Sequence, residues 1–277
     1  MAIIFLFEKK IKKKSQSNYF KKNKKNIYIK MNKNAIVTGG SRGIGEQLVY
    51  KLGEMGYNVI INYNSDKSKP LTDKIIETLD RKYKVKGYAI QADISKYEEC
   101  QKLVKFAYDK LGHIDVLVNN AGIASPNVPF TKMTVEQYTK VIGVNLFGTF
   151  HMCHLVVPHM VKDKKGCVIN ISSIGGLMGV AGQVDYCASK SGIIGMTRGL
   201  AVEFAKENIR FNCICPGMMW TDLLKSIDKD KLDALAKTIP MGRIGDIADA
   251  ASTMEFLIKN EYMTGQYISP NGGIFIP

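Results

Sequence analysis

Residues 35–45, Ala35-Ile36-Val37-Thr38-Gly39-Gly40-Ser41-Arg42-Gly43-Ile44-Gly45, decide the fold. A short apolar run ends in a glycine-rich turn, and an amphipathic helical pattern follows from about residue 44. Gly39, Gly43 and Gly45 permit a tight turn, close approach of the backbone to an anion, and close packing of helix on strand. The helix that follows would aim unpaired N–H groups and the positive end of its dipole at an anion, drawing on Ser41, Arg42, Gly43 and Ile44. The same glycines would also suit a plain strand-to-helix connection. Their position at the head of a strand–helix–strand unit favours the pyrophosphate of a dinucleotide.

The pattern continues outward from this turn. Strands are predicted at 35–38, 58–62, 87–91, 116–119, 167–172, 210–215 and 266–269. Helical periodicity lies between them at about 44–55, 70–83, 96–111, 134–162, 184–206 and 246–258. Strand then helix, repeated, implies right-handed crossovers and a parallel sheet covered on both faces. The class is therefore α/β: a doubly wound, seven-stranded parallel sheet with helices on both faces. No composition break divides 31–277, so one domain is expected. The stretch after Pro216 is less regular, with short helices expected near 221–237, and reads as a lid or substrate loop.

The end of the second strand discriminates between dinucleotides. An acid there would grip an adenosine ribose 2′-hydroxyl and repel a 2′-phosphate. This sequence has Asn62, Tyr63, Asn64 and Ser65, with no carboxylate before Asp66. Arg42 can pair with a phosphate through its planar fork, although a merely solvated arginine is the alternative. NADP(H) is favoured over NAD(H).

Tyr186-Cys187-Ala188-Ser189-Lys190 opens a helical pattern. Residues four apart share one helix face, so the phenol and the ammonium can converge on one substrate. A phenol with a pKa near 10 is a poor catalyst at neutral pH. A neighbouring cation is expected to bring it down by about 3 units. Alone, Tyr-x-x-x-Lys is unspecific.

Four signals in order resemble the short-chain dehydrogenase/reductase family, which has a Rossmann-type fold. They are the Thr-Gly-x-x-x-Gly-x-Gly turn at 38–45, Asn119-Asn120-Ala121-Gly122, Ser173 thirteen residues before Tyr186, and Tyr186-x-x-x-Lys190. Asn145, Pro216-Gly217 and Thr221 add matches, and the likeness spans essentially all of 31–277. The resemblance implies a carbonyl oxidoreductase with Tyr186 as the proton donor. Lys190 would lower its pKa and bind the nicotinamide ribose, Ser173 would orient the carbonyl, and Asn145 would position a relay water. It further implies that Tyr63, Asn64, Asp93 and Ile94 lie around the adenosine. Asn119, Ala121 and Gly122 would line the cleft, while Pro216, Gly217, Met219 and Thr221 would hold the nicotinamide amide.

Within the family the chain most resembles bacterial 3-oxoacyl-acyl-carrier-protein reductases of fatty acid biosynthesis. That implies NADPH-dependent reduction of a carrier-linked β-keto thioester by a cytoplasmic homotetramer. In those reductases two arginines beside the active site dock the acidic carrier; aligned from Tyr186, their positions hold Lys164 and Glu207. The competing enzyme reading is a carbonyl reductase or hydroxy dehydrogenase for a steroid, sugar or other alcohol. A cofactor-binding regulator without turnover is a third, opposed by the intact Asn145, Ser173, Tyr186 and Lys190 set.

The net charge of +14 is concentrated at one end, because residues 1–30 hold ten lysines and one acid, Glu8. This segment reads as a basic, disordered extension. It fits a secretory or transit peptide poorly, and the alternative is that translation starts at Met31. Nucleic-acid or membrane partners are not expected. No stretch is expected to approach the roughly 20 apolar residues of a membrane span. The six cysteines are scattered, without zinc or disulfide spacing, which suits a reducing cytosol. His151, His154 and His159 lack a complementary ligand set, so no metal is expected.

Overall fold

Seven short strands lie side by side: β1 (Lys33–Val37), β2 (Tyr57–Tyr63), β3 (Gly87–Gln91), β4 (Val116–Asn119), β5 (Gly166–Ile171), β6 (Ile209–Ile214) and β7 (Tyr267–Ile268). The computed structural model describes residues 32–221, 224 and 228–277. The basic extension and part of the expected 221–237 helices fall outside these. The sheet order is β3-β2-β1-β4-β5-β6-β7 and every pairing is parallel. Helices α1 (Gly43–Glu54), α2 (Lys69–Thr78), α3 (Tyr97–Leu111), α4 (Val135–Ile142), α5 (Gly148–Asp163), α6 (Val184–Phe204), α7 (Lys229–Lys237) and α8 (Ile247–Lys259) connect or flank them. This is the expected Rossmann-type architecture, and residues 33–277 form one unit.

Alternation along each strand builds two cores. Val37, Val59, Ile61, Val118 and Ile169 point to one face, where they meet Leu48 and Leu52 of α1 and Met254 and Leu257 of α8. Ile36, Ile60, Leu117 and Val168 point to the other, against Leu103 of α3, Met152 and Val156 of α5, and Phe211. Full burial of each such side chain contributes about 1.5–3 kcal/mol. Both faces must be covered, so Val, Ile and Leu dominate the strand centres, and the buried strand asparagines Asn34, Asn58, Asn62, Asn170 and Asn212 are each hydrogen-bonded.

The expected single helix over 134–162 is interrupted by a π-turn at Gly143–Phe147 between α4 and α5. Extra residues in one turn re-aim a side chain, and such bulges gather at functional sites; here the turn carries Asn145. The whole run Val135–Asp163 is, by length and composition alone, apolar enough to cross a membrane. The expectation that nothing approaches a span was therefore too strict. Met152, Cys153, Val156, Val157 and Met160 are buried, as in a core helix.

The chain leaves β1 toward β2 and β3 on one side, and later returns to β4 on the other. A crevice opens at the strands' C-terminal ends where the order reverses. The glycine turn after β1 and Asn119 at the end of β4 both lie at this crevice.

Candidate active site

The turn after β1 is locked by side chains that its glycine pattern does not reveal. Thr38 Oγ1 accepts the N–H groups of Asn120 and Ala121, each at 3.0 Å. Asn120 Nδ2 donates to the carbonyls of Thr38 and Gly39, also at 3.0 Å. Asn62 Nδ2 donates to Ala92 O at 2.9 Å, while its backbone carbonyl accepts from Gly40 N–H at 3.0 Å. Thr38, Asn120 and Asn62 are thus the structural residues that a glycine search misses. Thr38 and Asn120 lie within the quoted motifs and were within reach.

Two glycines are needed for close approach. A Cβ on Gly45 would strike the Gly39 carbonyl, and one on Gly39, where φ is +63°, would stand 2.8 Å from Ala121 Cα. Helix α1 begins after Arg42, whose side chain does not cap it. The first N–H groups of α1 are therefore left for a ligand, and the exposed Arg42 guanidinium stands at the same turn. A backbone cradle, a helix N-terminus and a cation together fit a dinucleotide diphosphate. The Thr221 methyl lies across from Gly43, 3.8 Å from where a Cβ would be.

Other expected cofactor residues are more deeply committed. Tyr63 is buried, whereas Asn64 and Ser65 are exposed beside the end of β2. Asp93 Oδ1 accepts from the Ser95 hydroxyl at 2.7 Å, and the Ile94 side chain packs against Gly148. Asn119 turns into the core, donating to Asn170 Oδ1 at 2.9 Å, and its own Oδ1 has no partner. Met219 is buried and bridges to Gly245. Gly217 packs against Asn271, where a Cβ would be 2.7 Å from Cα, and Pro216 O accepts from Ile174 N–H at 3.0 Å. Ala121 and Gly122 remain at the crevice, and a Cβ on Gly122 would lie 3.4 Å from Lys190 Nζ.

Three elements bring the four predicted catalytic residues together. Ser173 follows β5, Tyr186 and Lys190 sit on the first turns of α6, and Asn145 comes from the π-turn. Lys190 is buried, and its Nζ donates to Ile171 O at 3.0 Å, 5.7 Å from the centre of the Tyr186 ring. Burial brings the Lys190 pKa down to about 8. Burial also pushes the Tyr186 hydroxyl up from 10.0, and a hydrogen bond with Ser173 opposes this. In the protein alone Tyr186 therefore holds its proton more tightly, contrary to the expected lowering by Lys190. The lysine itself is desolvated, and its ammonium is spent on a carbonyl.

The Asn145 side chain is fully engaged. Its Nδ2 donates to Ile123 O and Ser189 Oγ, each at 3.1 Å, and its Oδ1 accepts from Ile123 N–H at 2.8 Å. These contacts make the carboxamide a brace between the 119–123 segment and α6. Behind Lys190, alternation along β6 puts Cys213 and Cys215 on one face with sulfurs 3.9 Å apart.

Lys164 and Glu207 occupy the other end of the sheet. Each lies just before the N-terminal end of a strand, β5 or β6, whereas Ser173 and Pro216 follow the C-terminal ends. Lys164 Nζ and Glu207 Oε2 pair at 3.4 Å. The three α5 histidines each have their own contact: His151 with Ile94 O, His154 with Tyr97, and His159 stacked on Tyr108.

Known proteins share this framework. Residues 33–232 match the family described as short chain dehydrogenase. The chain is 40% identical over 248 residues to 3-oxoacyl-acyl-carrier-protein reductase FabG of Staphylococcus epidermidis, covering 89% of this chain and 100% of that protein. The same enzyme from Chlamydia trachomatis is 38% identical over 247 residues, covering 88% and 98%. The solved structure of ElxO with NADP bound superposes with a TM-score of 0.82 at 33% identity, covering 88% of this chain and 99% of that one. Levodione reductase gives 0.82 at 27% identity, covering 88% and 97%. The chain belongs to the short chain dehydrogenase family and is an oxidoreductase.

Proposed function

We propose that this protein reduces a 3-oxoacyl thioester, carried on an acyl-carrier protein, to the 3-hydroxyacyl form with NADPH. The reaction type is carried by one observation: Tyr186 and the buried Lys190 share the first turns of α6, with Lys190 Nζ 5.7 Å from the Tyr186 ring centre and Ser173 just past the end of the adjoining strand β5. The substrate class is supported by 40% identity across the full length of a reductase named for it. NADPH supplies the hydride when bound. Arg42, Asn64 and the glycine turn would hold its phosphates, while Gly122, Lys190 and Thr221 would border its nicotinamide end.

Ser173 orients the carbonyl oxygen and Tyr186 gives it a proton. Tyr186 carries its proton at neutral pH, as a general acid in the reductive direction requires, and its hydrogen bond with Ser173 opposes the upward push of burial. Lys190 holds the ribose side of the site, and its ammonium supports the phenolate left after transfer. Asn145 braces the floor through Ile123 and Ser189.

The six cysteines are unpaired, including two sulfurs 3.9 Å apart, which supports a reducing cytoplasm. Exposed Phe147, Phe150 and Val202 on the helices around the π-turn and α6 support burial against further copies in a homotetramer. Sedimentation reads this directly, and a stable monomer would refute it. The acid at Glu207, paired with Lys164, gives an acidic carrier little purchase at that end of one chain.

Steady-state rates with acetoacetyl thioesters, steroids and sugars, each with NADPH and NADH, test the proposal. We expect the thioester and NADPH to be preferred. A preference for a steroid or sugar would move the assignment to the second enzyme class, and a preference for NADH would overturn the reading of Arg42 and Tyr63.

A further inference from the structure

Tyr186 is preceded by a carboxylate that the proposed reaction does not use. Asp185 is only 3% exposed. It stands in the first turn of α6, where the helix dipole favours an anion. Its Oδ1 accepts the backbone N–H of Tyr186 at 2.8 Å, and its Oδ2 accepts the Ser125 hydroxyl at 2.9 Å. Ser125 is itself buried and lies on the segment that runs from Gly122 toward α4.

Two further contacts close the same seam. Val128 N–H donates to Gly182 O at 3.0 Å. Gly182 adopts φ +78°, and a Cβ there would overlap Asn127 Oδ1. At its other end the segment is held where Ile123 meets Asn145. Residues 123–128 therefore begin beside Lys190 and end against the turn that delivers Tyr186. They run from Lys190 to the turn before Tyr186, and Asp185 is their central fastening.

We infer that Asp185, through Ser125, is a positioning residue that fastens the wall of the substrate cleft to the catalytic helix. It thereby sets how the carbonyl meets Tyr186, without touching the cofactor or the transferred proton. The inference rests on the proposed role of Tyr186. Both Asp185 oxygens act only as acceptors here. An asparagine could preserve the seam, because the Ser125 hydroxyl already reaches Pro126 O at 3.0 Å and could accept from the new amide. The fastening is a matter of geometry rather than charge.

The test compares Ser125→Ala, Asp185→Ala, the double variant and Asp185→Asn in purified protein. KM for acetoacetyl thioester should rise about tenfold in each alanine variant, with kcat changed by less than about threefold, since one buried hydrogen bond to a charge is lost. NADPH affinity, read by fluorescence titration, should stay within about twofold, because neither residue borders the cofactor cradle. The double variant should be no worse than either single, and Asp185→Asn should recover most of the KM. A fall in kcat at unchanged KM, an equal loss of NADPH affinity, or additive effects would overturn the inference. If Asp185→Ala does not fold, Ser125→Ala alone carries the measurement. Tyr186→Phe, measured alongside, separates the two claims. Turnover surviving that change refutes the catalytic reading, whereas its loss together with an unaltered KM in Ser125→Ala refutes only the fastening.

Discussion

The phosphate turn and the Tyr186 pocket lie at the same end of one sheet but are built in opposite ways. The turn is made of backbone. Its glycines leave room, Thr38 and Asn120 satisfy its polar groups, and nothing charged is buried there. The pocket is made of four side chains from three separate elements and includes a lysine pulled out of water. A backbone site is stable without its ligand. A side-chain site of this kind stores unfavourable desolvation, which is the usual trade between stability and activity.

The sharpest break between the two regions should come from Tyr186→Phe. Loss of the general acid is expected to lower kcat by roughly 10²–10⁴-fold, while NADPH binding at the turn stays unchanged. Kinetics and a fluorescence titration on the same preparation check both halves. A comparable loss of NADPH affinity would mean that the two regions are not separable.

Next in size is Lys190. Its pKa is about 8 in the folded protein against an ordinary 10.5. The folded state therefore binds fewer protons than the unfolded chain between those values, and stability rises with pH across that window. Below pH 8 the full cost of the buried ammonium is present. Lys190→Met should accordingly raise stability at pH 7 by roughly 1–2 kcal/mol, after the lost bond to Ile171 O is set against the relieved desolvation. It should also abolish turnover. The gain should vanish near pH 10.5, and thermal unfolding at the two pH values reads it. In the unaltered enzyme, reduction should weaken as pH rises through about 8 and the ammonium is lost. A profile flat from pH 7 to 9 would count against that role.

The smallest effect on turnover is expected at the turn. Asn120→Ala leaves the Thr38 and Gly39 carbonyls without their donor and should cost about 1–3 kcal/mol of stability. NADPH affinity should fall with it, while kcat at saturating cofactor is retained. A selective loss of kcat would show that Asn120 serves the pocket after all.

Legibility in the sequence follows the same divide. The glycine turn is contiguous, so spacing alone located it. The seven strands were placed within a residue or two, because doubly buried strands must be short and apolar. The π-turn was hidden, since Gly143-Val144-Asn145-Leu146-Phe147 continues the helical periodicity on either side. The Asp185–Ser125 tie was hidden for another reason: its members are sixty residues apart and neither belongs to a recognisable motif. Lys164 and Glu207 were assigned to the neighbourhood of Tyr186 by counting along the chain. The fold sends both to the far ends of β5 and β6.

The sequence by itself determined the α/β class, the order of strands and helices, the cofactor turn and the candidate acid Tyr186. Each of these depends on local spacing or on a period of 2 or 3.6 residues. Only the tertiary structure decided that Lys190 is dry, that Tyr186 is pushed up rather than down, and that the Asn119 and Asn145 side chains are spent on the protein. Protonation and hydrogen-bond commitment depend on which distant segments exclude water around a group, and that is fixed only when the sheet brings them together.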